Sequence, residues 1–139
     1  TEQSVTPGDW RSFAGFDFSG DALYTTGFIG PADGEPVYLD LGEVRYSCEA
    51  FVNGTSLGIR IMAPFVYFVP ADLLCETNHL EIRVTNTAAN EYAAKNDWLT
   101  ETYTIKKLGS YHVMNTVFEQ ESLSGGLFGP VRICAARCS

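Results

Sequence analysis

Three pairs of carboxylates lie close together along this 139-residue sequence: Asp33 with Glu35, Asp97 with Glu101, and Glu119 with Glu121. Pairs of this kind can cleave a glycosidic bond when the two groups stand roughly 5–9.5 Å apart and apolar surroundings keep one of them protonated. All three pairs fall in turns, loops or strand ends, where carboxylates are solvated, so none is given a catalytic role. Nucleophilic chemistry finds no better footing. There is no Gly-x-Ser-x-Gly elbow. The two histidines, His79 and His112, lie just before a strand and at the opening of one, and read as surface or hydrogen-bonded structural groups.

A different set of side chains suits a sugar. Between Asn86 and Trp98 the sequence gathers Asn86, Asn90, Tyr92, Asn96, Asp97 and Trp98. The C–H faces of a pyranose stack on aromatic rings, while its hydroxyls need amides, carboxylates and backbone groups. These six residues are the candidate carbohydrate-binding set. The competing reading is structural: Tyr92 and Trp98 cover the core, and the asparagines hold the loop through bonds to its own backbone. Trp10, flanked by Phe13 and Phe16, reads as a core plug.

Four cysteines are present, Cys48, Cys75, Cys134 and Cys138, without a Cys-x-x-Cys pair. A structural zinc site shows two closely spaced ligand pairs, so zinc is not expected and no metal ligand is assigned. Cys48 falls in an alternating strand as a small buried thiol. Cys134 and Cys138 are free to bridge each other or either of them Cys75, sequence leaves the three connectivities open, and an even count permits an oxidising compartment without requiring one.

These groups must be held by β-structure, because alternation dominates the chain. Val44, Tyr46, Cys48, Ala50 and Val52 share one face of a period-two pattern, with Arg45, Ser47, Glu49, Phe51 and Asn53 on the other. Leu80, Ile82 and Val84 repeat it, as do Val37, Leu39 and Leu41. Further strands are expected over residues 23–29, 65–69, 103–105, 113–118 and 131–135. Asn53-Gly54 predicts a tight hairpin, since both residues tolerate positive φ. Asp72 is placed to cap a single turn at Leu73-Leu74. Residues 87–98 carry the only helical spacing and would serve equally as an ordered loop. Many short strands with Gly/Pro turns predict one all-β jelly-roll sandwich over residues 1–139.

Composition narrows the partners. The chain is 45% hydrophobic and 19% charged, which excludes disorder. Its net charge of −8 opposes nucleic acid and anionic lipid, and its apolar runs are too short to span a bilayer. Thr1, standing where an initiator methionine would be, reads as a boundary within a larger protein.

Several segments then occur in a telling order: Phe18-Ser19-Gly20 before Ala22–Phe28, Tyr38–Val44, Ala50–Gly54 with Leu57-Gly58, Pro64-Phe65, Val69–Leu74, Asn78–Asn86, and Ser124–Ile133. Together they resemble the galactose-binding-like jelly-roll domains of glycoside hydrolases, of the β-galactosidase/β-glucuronidase and α-L-rhamnosidase kind. The resemblance implies a non-catalytic accessory domain of a periplasmic or secreted bacterial enzyme. Such a domain binds a glycan or shapes the substrate pocket through end loops, and its partners are carbohydrate and the catalytic domain of the same parent chain. The alternative is a purely structural module. No cofactor is implied beyond a structural calcium ion, for which Asp17, Asp21, Asp33 and Glu121 are the candidates. Two departures stand out. Cys75-Glu76-Thr77 replaces the usual glycine-containing turn, and residues 90–126 match weakly. The last strand is expected to run from Leu127 to Ile133 and close the sandwich.

Overall fold

The computed structural model describes residues 3–15, 18, 20–86 and 124–136. The strands expected at 103–105 and 113–118, and the helical or loop segment 87–98, lie outside the described residues. What is described is almost entirely β. A four-stranded antiparallel sheet has the order β1 (Asp21–Ile29), β7 (Thr77–Thr85), β4 (Ser47–Val52), β5 (Thr55–Arg60). A three-stranded sheet has the order β6 (Val66–Val69), β2 (Val37–Asp40), β9 (Arg132–Ala135), and a short ladder joins β3 (Glu43–Arg45) to β8 (Gly126–Gly129).

The jelly-roll sandwich follows from the alternation. Cys48, Ala50 and Val52 of β4 and Leu80, Ile82 and Val84 of β7 point inward, and so do Val37 and Leu39 of β2 and Tyr67 and Val69 of β6. These rows form one core between the two sheets, the packing that hides both apolar faces from water. A polar contact ties the layers together. The Tyr67 hydroxyl donates to the Cys48 carbonyl at 3.2 Å and lies 3.4 Å from the Cys48 thiol. Burial pushes both the Tyr67 phenol and the Cys48 thiol above their ordinary pKa values. Cys48, Cys75 and Cys134 are free thiols, so Cys75 and Cys134 do not bridge each other.

Two predicted strands divide. The alternation over 44–52 breaks at Tyr46, which is 39% exposed rather than buried. There the chain leaves the β3–β8 ladder and enters the four-stranded sheet. Val44 and Cys48 keep the same parity across the break, so the sequence pattern conceals it. The run 127–133 likewise splits into β8 and β9, which serve different ladders. Pro130 stands between them, and without an N–H it cannot carry a ladder through.

Smaller differences have local causes. A four-residue helix, Arg11–Ala14, was not signalled by any periodicity. His79 lies within β7 and pairs with Glu81 at 3.1 Å. Asp72 sits inside the 3-10 turn Ala71–Leu73 and makes no capping bond, because Pro70 occupies the cap.

The hairpin at Asn53-Gly54 forms as expected, with φ of 51° and 83°. Its tip is fixed by amides. Asn53 Nδ2 donates to the Leu73 carbonyl (2.8 Å) and to Asn78 Oδ1 (2.9 Å), and Asn53 Oδ1 accepts from the His79 N–H (2.8 Å). Buried Asn78 accepts from the Cys75 N–H and donates to the Cys75 carbonyl, both at 2.8 Å. Asn78 thus closes the Cys75-Glu76-Thr77 turn from its side chain. Gly30 lies opposite: a Cβ there would meet the Cys75 carbonyl oxygen at 2.2 Å. Asn78→Ala strands the Cys75 N–H and one Asn53 donor, and an unsatisfied buried polar group costs about 1–3 kcal/mol. Urea unfolding should therefore show a loss of about 2–3 kcal/mol with an unchanged m-value.

Candidate functional site

Asn86 is the one member of the candidate carbohydrate set among the described residues. Asn90, Tyr92, Asn96, Asp97 and Trp98 lie outside them. Asn86 follows the end of β7, and its side chain is engaged with the N-terminal segment. Its Oδ1 accepts from the Gly20 N–H at 2.9 Å, its Nδ2 donates to the Phe18 carbonyl at 3.1 Å, and its own N–H donates to the Gly20 carbonyl at 3.1 Å. With both ends of the amide held by backbone, Asn86 acts as an anchor for the start of the candidate loop.

Residues 124–125 pack against the same neighbourhood. Phe18 packs edge-on against Trp10, with ring centroids 5.0 Å apart. Trp10 is fully buried, as the core-plug reading expects. Its N–H donates to the Gly125 carbonyl at 3.0 Å, and Gly8 donates to the Leu127 carbonyl at 2.7 Å. The indole lies so close to Gly125 that a Cβ there would fall 2.7 Å from the ring. Ser124 accepts a hydrogen bond from the Arg45 guanidinium, which also pairs with Glu43 at 2.6 Å. Residues 86 and 124–125 thus share one base of Phe18, Trp10 and the N-terminal segment. Asp9 belongs to this base too. Burial opposes its charge, but the Arg11 guanidinium, the Arg11 amide and the Gly125 N–H outweigh that and hold its carboxyl below the ordinary range.

A described pocket of about 1020 Å³ is of another kind. Ala22, Tyr24 and Phe28 of β1 line it with Ile82, Leu127 and Ile133. Exposed Leu23 and Thr25 of β1 and the N-terminal residues Gln3, Ser4 and Val5 line it as well, so it is an open cleft along the edge strand β1. Its half-buried phenol, Tyr24, is raised above the usual range by partial burial and accepts the Leu127 N–H at 3.4 Å.

The carboxylate pairs do not assemble among the described residues. Asp33 Oδ1 accepts the Glu35 N–H at 3.3 Å in an exposed turn, and the other two pairs lie outside the described residues. Of the calcium candidates, Asp17 and Glu121 lie outside them. Asp21 accepts the Thr85 hydroxyl at 2.6 Å, and among the described residues no three His, Cys, Asp or Glu side chains gather as a metal site. Calcium requires six to eight oxygens, and the described candidates Asp21 and Asp33 make separate hydrogen bonds to Thr85 and Glu35.

No family model matches the chain. A rhamnosidase from Novosphingobium sp. PP1Y superposes on 84% of it with a TM-score of 0.56 and 29% identity. Its fold is the jelly roll of glycoside-hydrolase β-domains. A GH2 β-galacturonidase from Eisenbergiella tayi shares this fold over 62% of the chain, with a TM-score of 0.53 and 22% identity. In sequence, a Formosa agariphila protein named as a β-glucuronidase is 32% identical over 68% of the chain. The chain spans only 10% of that protein, 11% of the rhamnosidase and 15% of the galacturonidase. No helix among the described residues is long and apolar enough to cross a membrane.

Sequence reading did not find the shared base. The Trp10–Gly125 contact joins positions more than a hundred residues apart, and only the glycine, which must be small where a ring lies against it, marks the place in sequence. Nor did it single out the outward face of the three-stranded sheet, where Tyr38 and Phe68 are 44% and 51% exposed. Aromatic residues at positions where alternation calls for polar ones were the available signal.

Proposed function

We propose that this chain is the accessory β-domain of a glycoside hydrolase, contributing no catalytic residue of its own. The observation that supports it best is the share of length: a chain matched over 84% by a rhamnosidase accounts for only 11% of that enzyme. In this reading Asn90, Tyr92, Asn96, Asp97 and Trp98 contact a glycan or border the substrate pocket, and Asn86 anchors their segment. The partners are carbohydrate and the catalytic domain of the same parent chain, in a periplasmic or secreted enzyme. Neither nucleic acid nor a membrane is a partner of an acidic domain of this composition.

The test is an amide NMR titration of the chain with galactose, rhamnose, glucuronate and their oligomers. Saturable shifts clustered over residues 86–98 are expected. Turnover of aryl glycosides at enzyme-like rates, abolished by mutating a carboxylate pair, would overturn the non-catalytic reading.

One observation favours the structural alternative. Ile59, Ile61 and Met62, at the edge strand β5 and just beyond it, are 68%, 72% and 69% exposed. So much apolar surface in four residues suits a packing contact with a neighbouring domain. Absence of any shift at tens of millimolar sugar would select this account.

A further inference from the structure

The tip of the β4–β5 hairpin carries a reactive dipeptide. In Asn53-Gly54 the residue after the asparagine has no side chain to shield its nitrogen, so that nitrogen can attack the side-chain carbonyl carbon of Asn53. The attack forms a carbon–nitrogen bond and closes a succinimide ring. The amide nitrogen of Asn53 leaves as ammonia, taking the Gly54 N–H proton with it. Water then opens the ring to aspartate or isoaspartate. The fold holds the reacting carbon away from this course. The Asn53 N–H donates to the His79 carbonyl at 2.9 Å and Asn53 Oδ1 accepts from the His79 N–H at 2.8 Å, which lays the side chain along β7. Asn53 Nδ2 donates to the Leu73 carbonyl at 2.8 Å and to Asn78 Oδ1 at 2.9 Å. These side-chain bonds must open before the amide can turn back towards Gly54, although Asn53 itself is exposed to water.

The acceptors around Asn53 are fixed as well. Asn78 is buried, and Cys75 offers it one donor and one acceptor. Turning the Asn78 amide over would set donor against donor and acceptor against acceptor at Cys75, so its Oδ1 stays towards Asn53. The Leu73 carbonyl can only accept. An aspartate at position 53 would keep the oxygen that meets His79. Its second oxygen, charged and without a hydrogen to give, would face two acceptors in place of the lost N–H donors. We propose that Asn53 is a deamidation site protected by the fold, and that its conversion to an acid opens the hairpin tip. Loss of ammonia makes that opening one-way. The site shares no residue with the 86–98 segment and does not depend on the sugar reading.

The experiment incubates the chain in mildly alkaline buffer, native and in concentrated urea, and follows amide-to-acid conversion at Asn53 by peptide mass spectrometry. Conversion should be at least about tenfold slower in the native chain, because reactivity follows the population in which the tip is open. Asn78→Ala removes one acceptor and should speed native conversion several-fold. Trp10→Phe serves as the control, since Trp10 packs by Phe18 and Gly125 near Asn86, at the far end of β7 from His79, and the rate should not change. Asn53→Asp reproduces the product directly. It should lower the urea midpoint and shift the amide signals of Cys75 and His79, and it keeps the test readable where Asn78→Ala fails to fold. Equal rates in buffer and urea would overturn the protection, as would equal acceleration by Trp10→Phe and Asn78→Ala. Absence of conversion at Asn53 in urea would overturn the site itself. Parent-like stability of Asn53→Asp, with the Cys75 and His79 signals unmoved, would overturn the opening of the tip.

Discussion

Trp10→Ala is expected to destabilise the chain by about 3–5 kcal/mol, the range for truncating a large, fully buried aromatic. Trp10 has no exposed surface, and it fills the space between Phe18 and the Gly125 backbone. Removing it opens a cavity at the base that holds residue 86 on one side and residues 124–125 on the other. Trp10→Phe should cost markedly less. The indole Nε1 is buried without a hydrogen-bond partner among the described residues, so its loss strands no acceptor. Urea unfolding followed by far-ultraviolet circular dichroism measures both. Equal losses for the two variants would show that the ring edge near Gly125, and not the ring volume, provides the stabilisation.

This base also shows which features a sequence exposes. The inward rows were legible because period-two alternation is local: Cys48, Ala50 and Val52, or Leu80, Ile82 and Val84, announce a buried face without knowledge of the partner strand. The Asn53-Gly54 turn was legible for the same reason, since positive φ is a property of two adjacent residues. Strand division was not. Tyr46 keeps the parity of its neighbours while the chain changes ladders, and the division of 127–133 depends on two separate partners, β3 and β2. Partner choice is a long-range property, invisible to a local pattern. The candidate site shows the same divide. Side-chain types nominated Asn86 as a sugar ligand, but its role in the fold is fixed by Phe18 and Gly20, more than sixty residues earlier.

Gly42→Ala should be the most damaging glycine replacement in the turn after β2, costing about 3 kcal/mol or more by the measure of overpacked sites. Two penalties coincide at this residue. Its φ of 66° lies in the left-handed region, where a Cβ alone costs about 1–2 kcal/mol. That Cβ would also stand 2.5 Å from the Gly129 carbonyl carbon and oxygen and 2.9 Å from Pro130 N, all of them backbone atoms that cannot rotate away. Gly42 and Gly129 form a parallel bridge beside the β3–β8 ladder, so relief requires that β8 move and draw Leu127 out of the core. Gly54→Ala separates the two penalties. Gly54 has a φ of 83° with nothing within 4 Å of the added Cβ, so it should lose only the conformational part, about 1 kcal/mol. A difference of about 2 kcal/mol between the variants in urea unfolding measures the close approach of the two backbones. Equal losses would mean that the β8 backbone yields without cost, and that the Gly42–Gly129 contact does not hold the final strands in place.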